Sequence, residues 1–112
     1  MPRHLSEIGV HLEQVAPGTS AIPTNVPDDS GLRTKLGGDP DWIQDDETPD
    51  CDNCDEEMSF ICQIDSIHHD SKYNPLRRDC LGRKQEYMFG DVGMIYVFFC
   101  FDCCETTAVC QC

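Results

Sequence analysis

Two cysteine pairs with identical spacing are the strongest chemical signal in the sequence. Cys51 and Cys54 form one Cys-x-x-Cys motif, and Cys100 and Cys103 form a second one. Two residues between the cysteines let both sulfur atoms face one point, and a second such pair completes a tetrahedron around Zn²⁺. The sequence therefore predicts that Cys51, Cys54, Cys100 and Cys103 bind a zinc ion.

A site made of four thiolates leaves no coordination position open, so the ion would stabilise the fold and would not activate a substrate. The 45 residues between Cys54 and Cys100 exceed the usual spacing of such pairs, so folding of the intervening chain must bring them together. Cys104 directly follows Cys103, and either could be the fourth ligand; the matching spacing favours Cys103. Free thiols without a metal, disulfides and a different ligand set are the alternatives.

Nine cysteines occur in the 112 residues, and an odd number is unusual for a secreted domain whose cysteines all form disulfides. The chain starts without the apolar stretch of a secretory signal, and no segment approaches the roughly 20 apolar residues that cross a bilayer. We therefore expect a cytoplasmic protein without a membrane partner, in which thiols stay reduced. The other cysteines are interpreted as core or surface thiols: Cys62, Cys80, Cys110 and Cys112.

The charge of the chain is strongly negative and unevenly distributed. The net charge of −13 argues against nucleic acid as a ligand, because phosphate groups require Lys and Arg. Ten acidic residues and no basic residue lie between Asp39 and Glu57. We expect this run to form a surface for a basic protein partner, with Asp45, Asp46 and Glu47 as partner-binding residues. The alternative is a solvated loop without a partner.

No arrangement of residues indicates catalysis. The sequence contains no phosphate-binding loop, no serine-nucleophile motif and no zinc-protease motif. His68 and His69 are adjacent, and adjacent side chains point to opposite sides of an extended chain, so such pairs rarely share a metal. We therefore predict that the protein is not an enzyme.

The elements that must position the cysteines are predicted to be mainly antiparallel β-strands, with little helix. Residues 58–64, MSFICQI, have the composition of a buried strand, in which Cys62 alternates with Phe60 and Ile64. The tail at 105–112 contains enough β-branched residues for a last short strand. The expected fold is a small antiparallel β domain with a zinc-ribbon-like four-cysteine site.

A hairpin is predicted directly before the second cysteine pair. Residues 87–89 would lead into a turn and residues 94–99 would lead out of it. Gly90 and Gly93 stand at both ends of this turn, where positive φ values are expected. A further strand is predicted over residues 8–15, because apolar and polar residues alternate there.

The connections are predicted from residues that break regular structure. Residues 16–31 and 66–85 are interpreted as loops. Gly37 and Gly38 allow a backbone turn, and Trp42 is expected to be a core residue. The chain is long enough for one compact domain, predicted as residues 1–30, an N-terminal strand and proline-rich surface loop, and residues 31–112, a zinc-knuckle β domain.

The order of several sequence blocks resembles a known family. The blocks are similar to the C-terminal part of YwqG-like bacterial proteins of unknown function. In chain order they are KLGGDPDWIQ, the first cysteine pair, MSFICQID, FGDVGMIYVFFC, the second pair and a closing Gln-Cys. A weaker similarity links the same blocks to the programmed cell death protein 2 family, which is associated with the handling of ribosomal proteins. The resemblance covers roughly residues 31–112, and the segment 66–85 and the additional Cys104 depart from it.

The resemblance implies a β-rich domain without an established enzymatic activity. It implies that the four motif cysteines are zinc ligands and that residues 37–42 form a structural turn. Composition and resemblance together favour a non-enzymatic, zinc-stabilised protein-interaction module, and in its sharpest form an immunity protein that neutralises a basic toxin. The alternatives are a chaperone-like binder of basic ribosomal clients and a thiol-based redox or metal sensor.

Overall fold

The computed structural model describes residues 2–23, 31–67 and 87–112. A four-stranded antiparallel sheet forms its centre, and its strands are adjacent in the order in which the chain makes them. The strands are β1 (Lys35–Leu36), β2 (Ser59–Asp65), β3 (Met94–Cys100) and β4 (Glu105–Gln111). The described residues contain no helix. The predicted fold class, a mainly β domain with antiparallel strands and little helix, is confirmed.

Strand β3 supplies most of the core. Its alternate residues Met94, Tyr96 and Phe98 are fully buried, and Cys100 is nearly so. Successive side chains of a strand point to opposite faces, so these four lie on one face of the sheet. Phe60 of β2 lies opposite Phe98, and the two rings meet edge to face at 5.7 Å. This face of the sheet is therefore the hydrophobic core.

A bulge in β2 changes which of its residues face the core. The register with β3 shifts between Phe60 and Cys62, so the strand has one additional residue at that point. The bulge breaks the alternation that groups Phe60 with Cys62 and Ile64. The buried residues beyond it are Gln63 and Asp65, whereas Ile64 is 39% exposed.

Residues 37–58 cover the buried face of the sheet. Gly37 and Gly38 have φ values of +70° and +72°, which confirms the predicted turn. After this turn, Trp42 packs against the core. The centroid of its ring lies 4.5 Å from that of Tyr96 and 5.9 Å from that of Phe98. Trp42 is half-buried and packs against the core cluster, in agreement with its expected role.

The prediction of a strand over residues 8–15 is wrong. These residues form no strand, and Val10 and Leu12 are both 76% exposed. An alternating pattern makes a strand only where a neighbouring strand can accept its backbone hydrogen bonds. The four described strands pair with one another, and none of them pairs with residues 8–15.

The chain before β3 also differs from the predicted hairpin. Residues 87–89 form no strand, although a turn follows them as expected. Gly90 has a positive φ of +66°, but the second such residue of the turn is Val92, at +53°. Gly93 is required for another reason, because a Cβ atom there would lie 2.4 Å from the backbone oxygen of Gln111.

Some predictions concern residues beyond the described part of the chain. Of the predicted loop at 66–85, only Ser66 and Ile67 are described. His68, His69 and Cys80 lie outside the described residues. Among the described residues, no helix is long and apolar enough to span a bilayer.

Candidate metal centre and acidic segment

The four motif cysteines meet at one point. Their sulfur atoms all lie within 4.8 Å of one another, and the Sγ atoms of Cys54 and Cys100 are 3.7 Å apart. A regular tetrahedron with metal–sulfur distances of 2.3 Å has sulfur–sulfur edges of about 3.8 Å. The spacing of the sulfur atoms therefore fits a tetrahedral metal ion, and the predicted cluster of Cys51, Cys54, Cys100 and Cys103 is a candidate metal site.

Antiparallel pairing brings the two distant motifs to the same end of the sheet. The first pair lies in a turn closed by a backbone bridge between Asp50 and Glu57, directly before β2. The second pair lies in the turn that joins β3 to β4, and Cys100 is the last residue of β3. Because Ser59 pairs with Phe99, the two turns lie side by side.

The two cysteine turns have the same backbone geometry. The N–H group of Asp55 donates to the carbonyl of Cys51 at 2.8 Å, and that of Cys104 donates to Cys100 at 2.8 Å. Asp55 and Cys104 also share a left-handed conformation, with φ values of +61° and +57°. Cys104 thus occupies the position that Asp55 has in the first turn, and its side chain is exposed. Cys103 is therefore the residue placed to be the fourth ligand.

Backbone N–H groups act on the sulfur atoms of both turns. The N–H groups of Cys103 and Asp102 lower the pKa of the Cys100 thiol despite its burial. The N–H group of Glu56 lowers the pKa of Cys54, but burial and hydrogen bonds with the neighbouring thiols outweigh it and raise this pKa to about 12. Without a cation, ionisation of one thiol hinders that of its neighbours.

The Asn53 side chain adds a further donor, with Nδ2 at 3.2 Å from the Cys103 sulfur. Asn53 and Cys54 lower the pKa of Cys103, whereas burial and hydrogen bonds with Cys100 and Cys51 raise it by more. A divalent cation would take the place of the thiol protons, so metal binding releases protons and weakens as the pH falls.

Three further described cysteines are not members of this cluster. Cys62 is half-buried on β2, and burial raises the pKa of its thiol. Cys110 and Cys112 are exposed at the end of β4. These positions agree with their interpretation as core or surface thiols.

Comparison with known proteins gives one relative and no family. The chain is 31% identical, over 103 residues, to the uncharacterized protein YpfL of Salmonella typhimurium strain LT2. The match covers 90% of this chain but only 20% of YpfL, so the chain spans about a fifth of the length of this relative. No family model matches the chain. No solved structure shows significant similarity to it. The resemblance to YwqG-like proteins and to the programmed cell death protein 2 family therefore stays a prediction.

The three predicted partner-binding residues lie on the surface. Asp45, Asp46 and Glu47 are all exposed. Asp46 Oδ1 accepts hydrogen bonds from the hydroxyl and the N–H group of Thr48, at 2.6 Å and 2.8 Å, which lower the pKa of Asp46. Glu47 Oε2 accepts from Nε2 of Gln111 at 3.0 Å. Two of the three carboxylates are thus held in place by bonds within the chain.

Two buried glutamines fix the backbone of residues 41–45, which belong to the acidic run between Asp39 and Glu57. Gln63, on β2, accepts from the N–H group of Asp41 at 2.9 Å. Gln111, on β4, accepts from the N–H group of Gln44 at 2.9 Å and donates to the carbonyl of Asp45 at 2.6 Å. Both glutamine side chains are buried, and each amide group uses its oxygen and its nitrogen.

Tyr96 lies on β3, between the strands that carry the two glutamines, and forms a row of three polar side chains with them. Its hydroxyl donates to the carbonyl of Asp41 at 2.8 Å and accepts from the N–H group of Ile43 at 3.1 Å. One polar side chain from each of β2, β3 and β4 therefore holds residues 41–45 against the sheet. Sequence reasoning missed this row; the only signal was the presence of glutamine within two strand patterns, at Gln63 and Gln111.

A buried carboxylate closes the end of the core that lies opposite the cysteines. The side chain of Asp65 is fully buried and accepts from the N–H groups of Gly31 and Arg33, at 2.7 Å and 3.0 Å. The Arg33 guanidinium donates to both of its oxygens, at 2.9 Å and 2.8 Å. Neither residue was singled out from the sequence, because no motif links them.

Proposed function

We propose that the protein is a non-enzymatic interaction module, stabilised by a structural Zn²⁺ ion, that binds a basic protein partner through its acidic segment. The acidic segment is defined as residues 39–57, which carry ten carboxylates and no Lys or Arg. The observation that carries the proposal is the row of Gln63, Tyr96 and Gln111, which fixes the backbone of residues 41–45 of this segment. Ordering a surface in advance reduces the entropy lost when a partner binds.

The choice of zinc rests on the donor set and its spacing. Four thiolates at tetrahedral distances favour Zn²⁺, which binds such sites without an open position. A metal held in this way would pin the two turns and so hold the C-terminal part of the acidic segment, from Asp50 to Glu57. In this proposal the ion has a structural role only.

The sharpest form of the proposal is an immunity protein that neutralises a basic toxin. A small, strongly acidic chain associates quickly with a basic partner because opposite charges steer the encounter. A client-binding chaperone would use the same acidic surface for basic ribosomal proteins. A redox or metal sensor would use the four-cysteine cluster itself, and reversible loss of metal under mild oxidation would favour it.

The test compares three immobilised proteins for capture of partners from a host lysate. The first is the wild type and the second carries Asp45→Asn, Asp46→Asn and Glu47→Gln. The amide oxygens of this variant can still accept the bonds from Thr48 and Gln111. The third, with the same loss of charge elsewhere, carries substitutions at the exposed acids Asp91→Asn, Asp102→Asn and Glu105→Gln.

We expect a protein of positive net charge to be captured by the wild type and the control, but poorly by the acidic-segment variant. A purified partner should then associate more slowly with that variant, and with a weaker dependence on salt. Equal capture by all three proteins would contradict the proposal. An encoded toxin captured in this way would favour the immunity function, and ribosomal proteins would favour the chaperone.

A further inference from the structure

An open cavity lies where the acidic segment meets the sheet. Its volume is about 540 Å³, which is within the range of small-ligand sites. It is bordered by the chain around Pro40 and Thr48, by the start of β2 and by Phe98 of β3. We call it the Trp42 cavity. It lies apart from the four-cysteine cluster, none of whose members lines it.

Aromatic rings form part of its wall. Trp42, Phe60 and Phe98 all line the cavity. The Trp42 and Phe98 rings are nearly parallel, with an interplanar angle of 15°, and Phe60 meets Phe98 edge to face. Trp42 and Phe60 are only half-buried, whereas Phe98 is fully buried, so Trp42 and Phe60 are the aromatic residues that a ligand could reach. The faces of such rings attract cations, and those of tryptophan do so most strongly.

Carboxylates line the same cavity. Of its eleven described lining residues, three are acidic and none is basic. The acidic residues Asp39, Asp46 and Glu57 are all exposed. Thr48 bonds only to Oδ1 of Asp46, and among the described residues Oδ2 accepts no hydrogen bond. The two bonds also fix the orientation of this carboxylate.

The positive charge that is present nearby is already engaged. Lys35 lies close to Gly38, which lines the cavity, but its ammonium group pairs with Asp41 at 2.8 Å. Lys35 does not line the cavity itself. The cavity is therefore lined by aromatic residues and three carboxylates, of which Asp46 is held in place, and by no basic residue of the described chain.

We propose that the Trp42 cavity binds an arginine side chain of the partner. A guanidinium group is planar, stacks on aromatic rings and donates up to five hydrogen bonds, several of which can go to carboxylates. A lysine ammonium group is smaller and more strongly hydrated and lacks the planar face. This inference rests on the proposed function, because it names the chemical group through which the acidic segment recognises a basic protein.

The test uses the fluorescence of Trp42, which is the single tryptophan of the chain. The metal-loaded protein is titrated with the blocked tripeptide Gly-Arg-Gly. Peptides with lysine or with citrulline in the middle serve as controls, since citrulline is a neutral isostere of arginine. We expect a saturable change in fluorescence with the arginine peptide, a weaker one with lysine and none with citrulline. No saturable change, or an equal response to lysine or to citrulline, overturns the assignment.

Two variants with equal loss of charge locate the binding. Asp39→Asn with Glu57→Gln removes carboxylates from the cavity, and we expect about fivefold weaker binding of the arginine peptide. Asp91→Asn with Glu105→Gln removes exposed charges elsewhere and should change the affinity by less than about twofold. Equal affinities in the two variants would also overturn the proposal. Thermal melts of both variants check that the fold is intact.

The outcome separates this inference from the proposed function. If the arginine peptide fails to bind but a basic protein still binds in a manner that needs Asp45, Asp46 and Glu47, the cavity assignment is wrong and the function stands. If the peptide binds at the cavity but no basic protein is captured, the cavity is a guanidinium site and the proposed function is wrong.

Discussion

The two ends of the buried face are closed by different chemistry. At one end, four sulfur atoms from two identical turns meet within 4.8 Å. At the other end, the carboxylate of Asp65 gathers donors from Gly31 and Arg33. We call these the sulfur end and the carboxylate end. The sulfur end is visible in the sequence as a motif, whereas the residues of the carboxylate end are brought together only by the fold.

The difference also concerns how each end contributes to stability. The sulfur end is expected to contribute fully only when an ion replaces the thiol protons, because four crowded thiolates repel one another. The carboxylate end needs no ligand, but it holds a charged group away from water. Replacing one partner of such a buried ion pair strongly destabilises the folded state. The stability that the sulfur end contributes therefore depends on the supply of metal. The stability that the carboxylate end contributes depends only on residues of the chain itself.

The largest effect should come from Cys103→Ser, compared with Cys104→Ser. The first change removes a proposed ligand of the sulfur end, and we expect metal affinity to fall by more than about 100-fold. Most of the metal-linked folding free energy should be lost with it. The second changes the exposed neighbouring thiol and should leave metal content near one ion per chain. Metal analysis and thermal melts decide; equal losses in both variants would mean that the ligand is wrongly assigned.

Asp65→Asn should break the carboxylate end while the sulfur end keeps its metal. The Arg33 guanidinium then faces a neutral amide, and we expect unfolding in urea to require about 3–5 kcal/mol less. Asp39→Asn is the matched control, because Asp39 is exposed, and it should change stability by less than about 0.5 kcal/mol. A variant at Asp65 that also lost its metal would show that the two ends are not independent.

Gln111→Leu should loosen the acidic segment between the two ends. It removes the partners of the Gln44 N–H group and the Asp45 carbonyl, at a cost of about 1–3 kcal/mol. Hydrogen exchange at the Gln44 amide should become faster, and association with a basic partner should weaken. Gln14→Leu changes an exposed glutamine and serves as the control. Unchanged exchange at Gln44 would contradict the role given to Gln111.

Tyr96→Phe should give the smallest effect, a loss of about 1 kcal/mol at neutral pH. Burial raises the pKa of Tyr96 above its usual value of 10. The folded state therefore favours the neutral hydroxyl, which stabilises the protein fully below pH 10 and less as the pH rises through the raised pKa. The difference in stability between wild type and Tyr96→Phe should shrink in that alkaline range. A difference that stays constant with pH would contradict this account.

The sequence predicts best what is local. The four cysteines of the sulfur end follow from a spacing of two residues, and β3 follows from the apolar residues 94–99 behind the predicted turn at Gly90 to Gly93. Trp42 and the turn at Gly37 and Gly38 are confirmed for the same reason, since residue type alone restricts where they can lie.

What depends on distant neighbours could not be predicted. Apolar and polar residues alternate at Val10 and Leu12, yet none of the described strands pairs with residues 8–15, and they form no strand. The bulge in β2 turns Gln63 to the core, where a polar amide is acceptable only because Asp41 and Arg33 supply its hydrogen bonds. Such partners are visible only in the folded chain.

The register of β2 and β3 has a consequence for how the chain can vary in length. Asp65 lies opposite Met94, so the connection between these strands leaves the sheet and returns to it at one place. The four cysteines lie at the other end of the same strands. A change of length between Ile67 and Tyr87 is therefore expected to leave the two cysteine turns in place, because it enters the chain at the end of the sheet farthest from them.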